Sequence, residues 1–290
     1  MIFDKLIKFS VITILLGRGY QHLNWDGPYR ALFWDENLLS PLVSLLGFEW
    51  KEYVTSPYLD LSINLFTKLI GVILIISALS ATKYFRSASS VFLLRLSSTL
   101  LFFMSLLLFK DKHFQLPMLI ENSIQFGLPM FYSFNLWKPF WSAKQQFILK
   151  ILIALTFVGH GTYAMGLGVP VPSNFVEMVM EILYLDENTA RIFLKFAGMF
   201  DYMASISLFV PILSKNALIF MSLWGMSTAF ARVVAYVEIN TFISDLHSWG
   251  FETVFRFGHG LAPLSMLVFM STFEFKDLAF VKKFKEYKYV

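Results

Sequence analysis

The chain has 290 residues and a formal net charge of +4, is 57% hydrophobic and only 15% charged, and has a mean hydropathy of +0.61. That balance excludes an ordinary soluble domain. The absence of cysteine excludes disulfides, thiolate nucleophiles, Fe–S clusters and thiolate metal sites, so any redox chemistry would need a bound cofactor. The positive excess collects in short segments between apolar runs and at the C-terminus, which is a membrane topology pattern and argues against nucleic acid as a partner.

Eight runs reach the roughly 20 residues that a bilayer crossing needs. The first, 5–24, contains Arg18, and Lys5 and Lys8 ahead of it look like the start of a signal peptide. No small-residue cleavage site follows, so a retained span is expected. Next comes an outer segment in which 37–46 reads as a surface helix with Pro41 in its first turn. Spans then follow at 60–81, 89–109, 115–136 and 145–166. Beyond Pro170 and Pro172, apolar positions from Phe175 to Leu183 recur with helical spacing, and Glu177 and Glu181 share one face. This predicts an amphipathic surface helix, with Asn174 and Glu177 in capping-box spacing. The last spans are 189–213, 215–237 and 251–273, followed by a basic tail at 274–290.

The expected fold class is therefore all-α, a polytopic helical membrane protein of about eight transmembrane helices. Its organisation reads as four-helix units at 1–137 and 138–273, each built as span, surface helix and three more spans. With both termini cytoplasmic, the inner segments hold Lys5, Lys8, Lys83, Arg86, Lys138, Lys144, Lys150, Lys215 and tail lysines 276, 282, 283, 285 and 288. The outer segments are then predominantly acidic, from Asp26, Asp35 and Glu36 to Glu238 and Asp245, so the positive-inside rule is satisfied. Trp25, Trp34, Trp50 and Trp249 fall at the outer boundary, and Trp137 and Trp141 at the inner one, as an aromatic belt requires. The expected location is a bacterial-type inner membrane, in contact with the lipid bilayer.

The two halves carry polar markers in the same order. Gly17-Arg18-Gly19, Lys68-x-x-Gly71 and Glu121-x-x-x-Gln125-Phe126-Gly127 are followed by Gly159-His160-Gly161, Lys195-x-x-Gly198 and Glu252-x-x-x-Arg256-Phe257-Gly258. Duplication and coincidence both account for matches this short. On the expected spans, Arg18, Lys68, Glu121, His160, Lys195, Arg232, Glu252, Arg256 and His259 gather in the outer half of the bilayer, with Asp201 near its middle. Charges at such depth are costly, so the set is a candidate site. Lys68, Lys195 and Arg232 also have the snorkelling reading open to them, which the short side chains of Glu121 and Glu252 do not share.

Glu252, Arg256 and His259 share a helical face through their four- and three-residue spacings. A structural salt bridge and a water-accessible, net-positive pocket both fit that pattern. Counting five cations (Arg18, Lys68, Lys195, Arg232 and Arg256) against Glu121, Asp201 and Glu252 gives +2. An outward-facing cavity of that sign favours an anion, a phosphate headgroup or a quinone carbonyl. The ligand-binding candidates are Arg18, His22, Glu121, His160, Tyr163, Asp201, Arg232, Glu252, Arg256 and His259. His22, His160, His259, Asp201 and Glu252 lack the paired spacing of a helical metal or haem site, so neither group is expected.

The run Phe157-Val-Gly-His-Gly-Thr-Tyr-Ala-Met, an amphipathic stretch, then Phe196-Ala-Gly-Met-Phe-Asp-Tyr-Met and two further spans resembles the four-helix DoxX-like membrane proteins. Arg30-Ala-Leu-Phe-Trp-Asp-Glu-Asn-Leu-Leu is similar to the HTTM region of vitamin K-dependent carboxylase-like proteins. The first resemblance implies two fused four-helix units and a quinone- or lipid-linked role facing the periplasm. It departs from the DoxX-like pattern early in the second span, where the expected acidic residue is Lys68 in one half and is displaced to Asp201 in the other. Three function classes follow: a ligand-binding or quinone-linked redox protein, a small-solute or lipid transporter, and a non-catalytic subunit with membrane-protein partners.

Overall fold

The computed structural model of the chain describes residues 1–82, 87–136 and 141–286, with 273–286 as backbone alone. Expectations resting on Lys83, Arg86, Trp137, Lys138 and the side chains of the five tail lysines lie outside the described residues.

The described residues form helices and no strand. Five helices are long and apolar enough to cross a membrane: α5 (Pro57–Ser80), α6 (Ala88–Asp111), α9 (Ala143–Met165), α12 (Ser214–Tyr236) and α13 (Phe242–Glu286, apolar to Thr272). Two further long helices, α1 (Ile2–Asn24) and α11 (Glu187–Ser207), pack into the same bundle. The protein is membrane-embedded, and its outward apolar side chains, such as Leu61, Leu65, Leu69, Val72, Ile76 and Leu79 on α5, are exposed to meet lipid.

Helices packed in lipid gain little from hydrophobic burial against one another, so close backbone contact through small residues matters more. A methyl group built on Gly71 would stand 3.0 Å from the Gly19 carbonyl oxygen, which brings α5 against α1. One built on Gly198 would stand 2.6 Å from the Gly161 carbonyl oxygen, which brings α11 against α9. These glycines are thus the crossing points of two helix pairs, α1 with α5 and α9 with α11.

Other contacts interleave the halves. Gly17 of α1 faces the backbone at Phe251 and Phe255 of α13, whereas Gly159 of α9 faces the backbone of Glu121.

The run expected as one span at 115–136 is broken into α7 (Leu116–Ile120) and α8 (Ser123–Asn135). The cause is local. The Asn122 side chain donates to the Met118 carbonyl at 2.8 Å, a side-chain competitor for the helical ladder, and the Ile124 N–H donates to Thr156 Oγ1 of α9 at 3.0 Å. The 189–213 span also ends early, at Ser207, ahead of a turn containing Pro211, while the last helix starts nine residues before the expected 251.

The first outer segment holds three short helices where one was expected: α2 (Arg30–Phe33), α3 (Glu36–Leu45) and α4 (Trp50–Val54). Asp35 caps α3 by accepting from the Leu38 N–H at 3.0 Å, so Pro41 lies well inside that helix and not in its first turn. Lys110 at the end of α6 pairs with Asp35 at 2.5 Å, and its ammonium holds the Asp35 carboxyl below the usual carboxylate range. The second outer segment is α10 (Ser173–Leu183), whose N-cap is Pro172. Asn174 is already inside the helix and the expected capping box does not form, because the extended Pro172 backbone starts the helix two residues earlier.

Trp141 does not join an aromatic belt. It is buried, stacks on Phe269 at 4.8 Å and meets Phe3 and Phe131 edge-on, tying α13, α1 and α8 together.

Candidate intramembrane site

On α13, Glu252, Arg256 and His259 are consecutive members of one helical face, as their spacing requires. Helix α12 crosses that face closely. A methyl group built on Gly225 would stand 2.5 Å from the His259 carbonyl oxygen, and one on Gly260 would stand 2.9 Å from the Ser222 carbonyl oxygen. Pro263 follows His259 by four residues and has no N–H to offer that carbonyl.

The crossing brings Arg232 of α12 inward, with Nε 2.5 Å from Glu252 Oε2. Arg256 Nη2 lies 3.7 Å from the same oxygen. One carboxylate thus sits between two guanidiniums, and the snorkelling reading of Arg232 is replaced by an interior ion pair at 3% exposure. Lys68 and Lys195, by contrast, are exposed on the outside of the bundle, as snorkelling requires, and leave the site.

From the other side come α1, α7, α8 and α9. Arg18 is buried and its guanidinium is fully directed: Nε donates to Gln125 Oε1 at 2.7 Å, Nη1 to Gln21 Oε1 at 2.8 Å and Nη2 to Asn122 Oδ1 at 3.0 Å, while its plane covers Phe255 at 3.8 Å. Glu121, at the break before α8, places Oε2 3.3 Å from His160 Nδ1. The His160 and His259 rings are 5.1 Å apart.

Two cavities meet on this cluster. One, of about 150 Å³, is polar and is lined by Arg18, Gln21, Glu121, Asn122, Gln125 and Glu252, among others. The second, of about 310 Å³, is mainly apolar and lies between α9, α10, α11 and α12, with Phe157, Phe175, Met178, Phe193, Leu194 and Trp224 in its wall. His160 and Arg256 line both. The apolar face of α10 closes part of the second cavity, which explains why its periodicity reads as a surface helix: the helix is half sunk onto the bundle.

Buried polar atoms in proteins are almost always hydrogen-bonded. Here His160 Nε2, His259 Nε2, Arg232 Nη1, Arg256 Nε, Thr253 Oγ1 and Asp201 Oδ1 are buried without a partner. Five of these residues, His160, Asp201, Arg232, Arg256 and His259, line the apolar cavity, so their unmet hydrogen-bonding capacity stands next to open space. The three guanidiniums against Glu121 and Glu252 give a formal charge of +1, lower than the +2 counted before Lys68 and Lys195 left the site and Asp201 proved to lie in the apolar wall.

Of the ten sequence candidates, Arg18, Glu121, His160, Arg232, Glu252, Arg256 and His259 converge. Asp201 sits in the wall of the apolar cavity. His22 is a support and not a contact: Nδ1 meets the Arg18 carbonyl oxygen at 2.7 Å and Nε2 the Tyr29 hydroxyl at 2.8 Å. Tyr163 lines neither cavity and donates to Gln115 Oε1 at 3.1 Å. Gln21, Asn122, Phe255 and Trp224 carry no charge that would mark them in the sequence, yet they complete the walls. Gln125 is marked in the sequence only by its place in the repeat. No group of three His, Asp or Glu side chains able to hold a metal ion occurs among the described residues.

No protein-family model, curated protein or solved structure matches this chain.

Proposed function

We propose that this membrane protein binds an amphiphile, holding an anionic head in the polar chamber and a hydrocarbon chain in the apolar cavity. The observation that carries the reading is the shared wall: His160 and Arg256 face both spaces, so a single molecule lying across them meets guanidiniums at one end and apolar side chains at the other. A formal excess of one positive charge suits one negative charge on the head. The amino end of α8 adds to this, because its N-cap Asn122 lines the chamber and sets the positive end of the helix dipole beside it. A quinone ring suits the chamber less well, since its neutral carbonyls leave that charge uncompensated.

The reading includes eight crossings, with α1, α11 and the broken α7–α8 pair added to the five most apolar helices. Lengths of 23 and 21 residues, about 35 and 32 Å at 1.5 Å per residue, are enough for α1 and α11. It also includes a parallel duplication of four-helix units, supported by the matched Gly19–Gly71 and Gly161–Gly198 crossings. Both termini are then cytoplasmic, in a bacterial-type inner membrane, and the site opens near the periplasmic face beneath α10, with DoxX-like architecture.

Trp224 lies in the wall of the apolar cavity and serves as a reporter. Brominated palmitate should quench its fluorescence saturably in purified protein. The methyl ester of the same chain should bind at least about tenfold more weakly, as should the acid to an Arg256→Gln variant. Equal affinity for acid and ester, or no quenching of Trp224 above that seen in a Trp224→Phe control, would overturn the reading.

A further inference from the structure

An apolar cavity built only for a saturated chain has no use for a carboxyl group in its wall. Asp201 of α11 is nevertheless there, 4% exposed, with Oδ1 buried and unpartnered and with Trp224 in the same wall. It belongs to a different helix from Arg232 and Arg256, the arginines that line the same cavity.

Nor is Asp201 a helix-packing device. The α9–α11 crossing is made by Gly161 and Gly198, and a methyl on Gly161 would touch the Asp201 Cβ at 3.1 Å, so only the base of the side chain takes part in that contact. The nearby hydroxyls that line the cavity are already engaged: Thr228 Oγ1 with the Gly225 carbonyl and Ser227 Oγ with the Leu223 carbonyl. Burying a polar atom without a hydrogen bond costs free energy that a bound group can return.

We infer that Asp201 is a second polar foothold, and that the ligand carries a neutral hydrogen-bonding group, a hydroxyl in the simplest case, part-way along its hydrocarbon portion. Resting on the amphiphile reading above, this narrows the ligand class from a plain acyl chain to an anionic amphiphile with an internal polar group. A carboxyl accepts from a hydroxyl on either oxygen. Such a contact discriminates strongly, because a chain lacking the hydroxyl leaves the buried oxygen unpaired.

The test is a position scan with the purified full chain: palmitate against hydroxypalmitates bearing the hydroxyl at successive carbons. At one or two adjacent positions the hydroxyl should raise affinity about tenfold or more over palmitate, and the gain should vanish in Asp201→Leu and survive in part in Asp201→Asn. The scan on unaltered protein reads the result even if the leucine variant fails to fold. Equal affinity at every position would overturn the foothold while leaving the amphiphile reading intact. Binding of none of these acids would overturn both.

Discussion

Arg18 and His160 stand at corresponding places, each between two glycines on the first helix of its half, but their surroundings differ. Arg18 gives its guanidinium hydrogens to three amide oxygens and lies flat on Phe255. His160 has a carboxylate on one ring nitrogen and nothing on the other. The difference extends across the molecule: among the described residues, every buried side-chain atom without a partner lies between His160 and His259. The amino-terminal half uses its polar groups to hold the chamber together, and the carboxy-terminal half leaves its own facing the cavities. Unmet hydrogen-bonding capacity is thus concentrated in the carboxy-terminal half.

The sharpest way to break this contrast is Glu252→Gln. Removing the charge between Arg232 and Arg256 leaves one buried and one half-buried guanidinium uncompensated, and loss of one member of such a set costs up to about 3–5 kcal/mol. The melting temperature in detergent should fall accordingly. Lys195→Gln, on the exposed side of α11, should change stability by less than about 0.5 kcal/mol. Small, equal changes in both would remove the shared polar site.

That prediction rests on a face that is legible in the sequence: Glu252, Arg256 and His259 lie on one helix, where spacing alone fixes direction. Arg232 is not legible in the same way. Which side of α12 meets α13 is decided by the crossing at Gly225 and Gly260, contacts between helices that no single-helix periodicity records. Arg18 is visible as a charge, but Gln21 and Asn122, which direct it, are neutral and carry no such signal. The break at Glu121–Asn122 is hidden because its apolar flanks read as one continuous span, while the competing hydrogen bonds come from an amide side chain and from Thr156 on another helix.

A second comparison separates support from binding. Arg18→Met strands two buried amide acceptors, Asn122 and Gln125, and the half-buried Gln21, and should destabilise the protein by about 2–3 kcal/mol. His160→Phe should change stability by under about 1 kcal/mol while weakening anion binding. Denaturation and ligand titration of the two variants check the order, and a reversed order would mean that the roles of the two halves are exchanged.

The smallest effect sharpens the resemblance between the halves. Gly71→Ala and Gly198→Ala each push a methyl into a facing helix and should cost about 1–3 kcal/mol, the second more because its contact is closer, 2.6 against 3.0 Å. A substantial loss in only one of them would show that the two crossings are not equivalent.

The interleaved packing of the two halves bears on how the chain is assembled. Gly17 of α1 rests on α13, far along the chain, and the Ile124 N–H at the start of α8 needs Thr156 of α9 as its acceptor. The segment up to α8 alone therefore leaves the Ile124 N–H without that acceptor and the Gly17 face of α1 uncovered. The polar chamber takes its wall from α1 and α13 together, so it forms only when these distant parts of the chain have met.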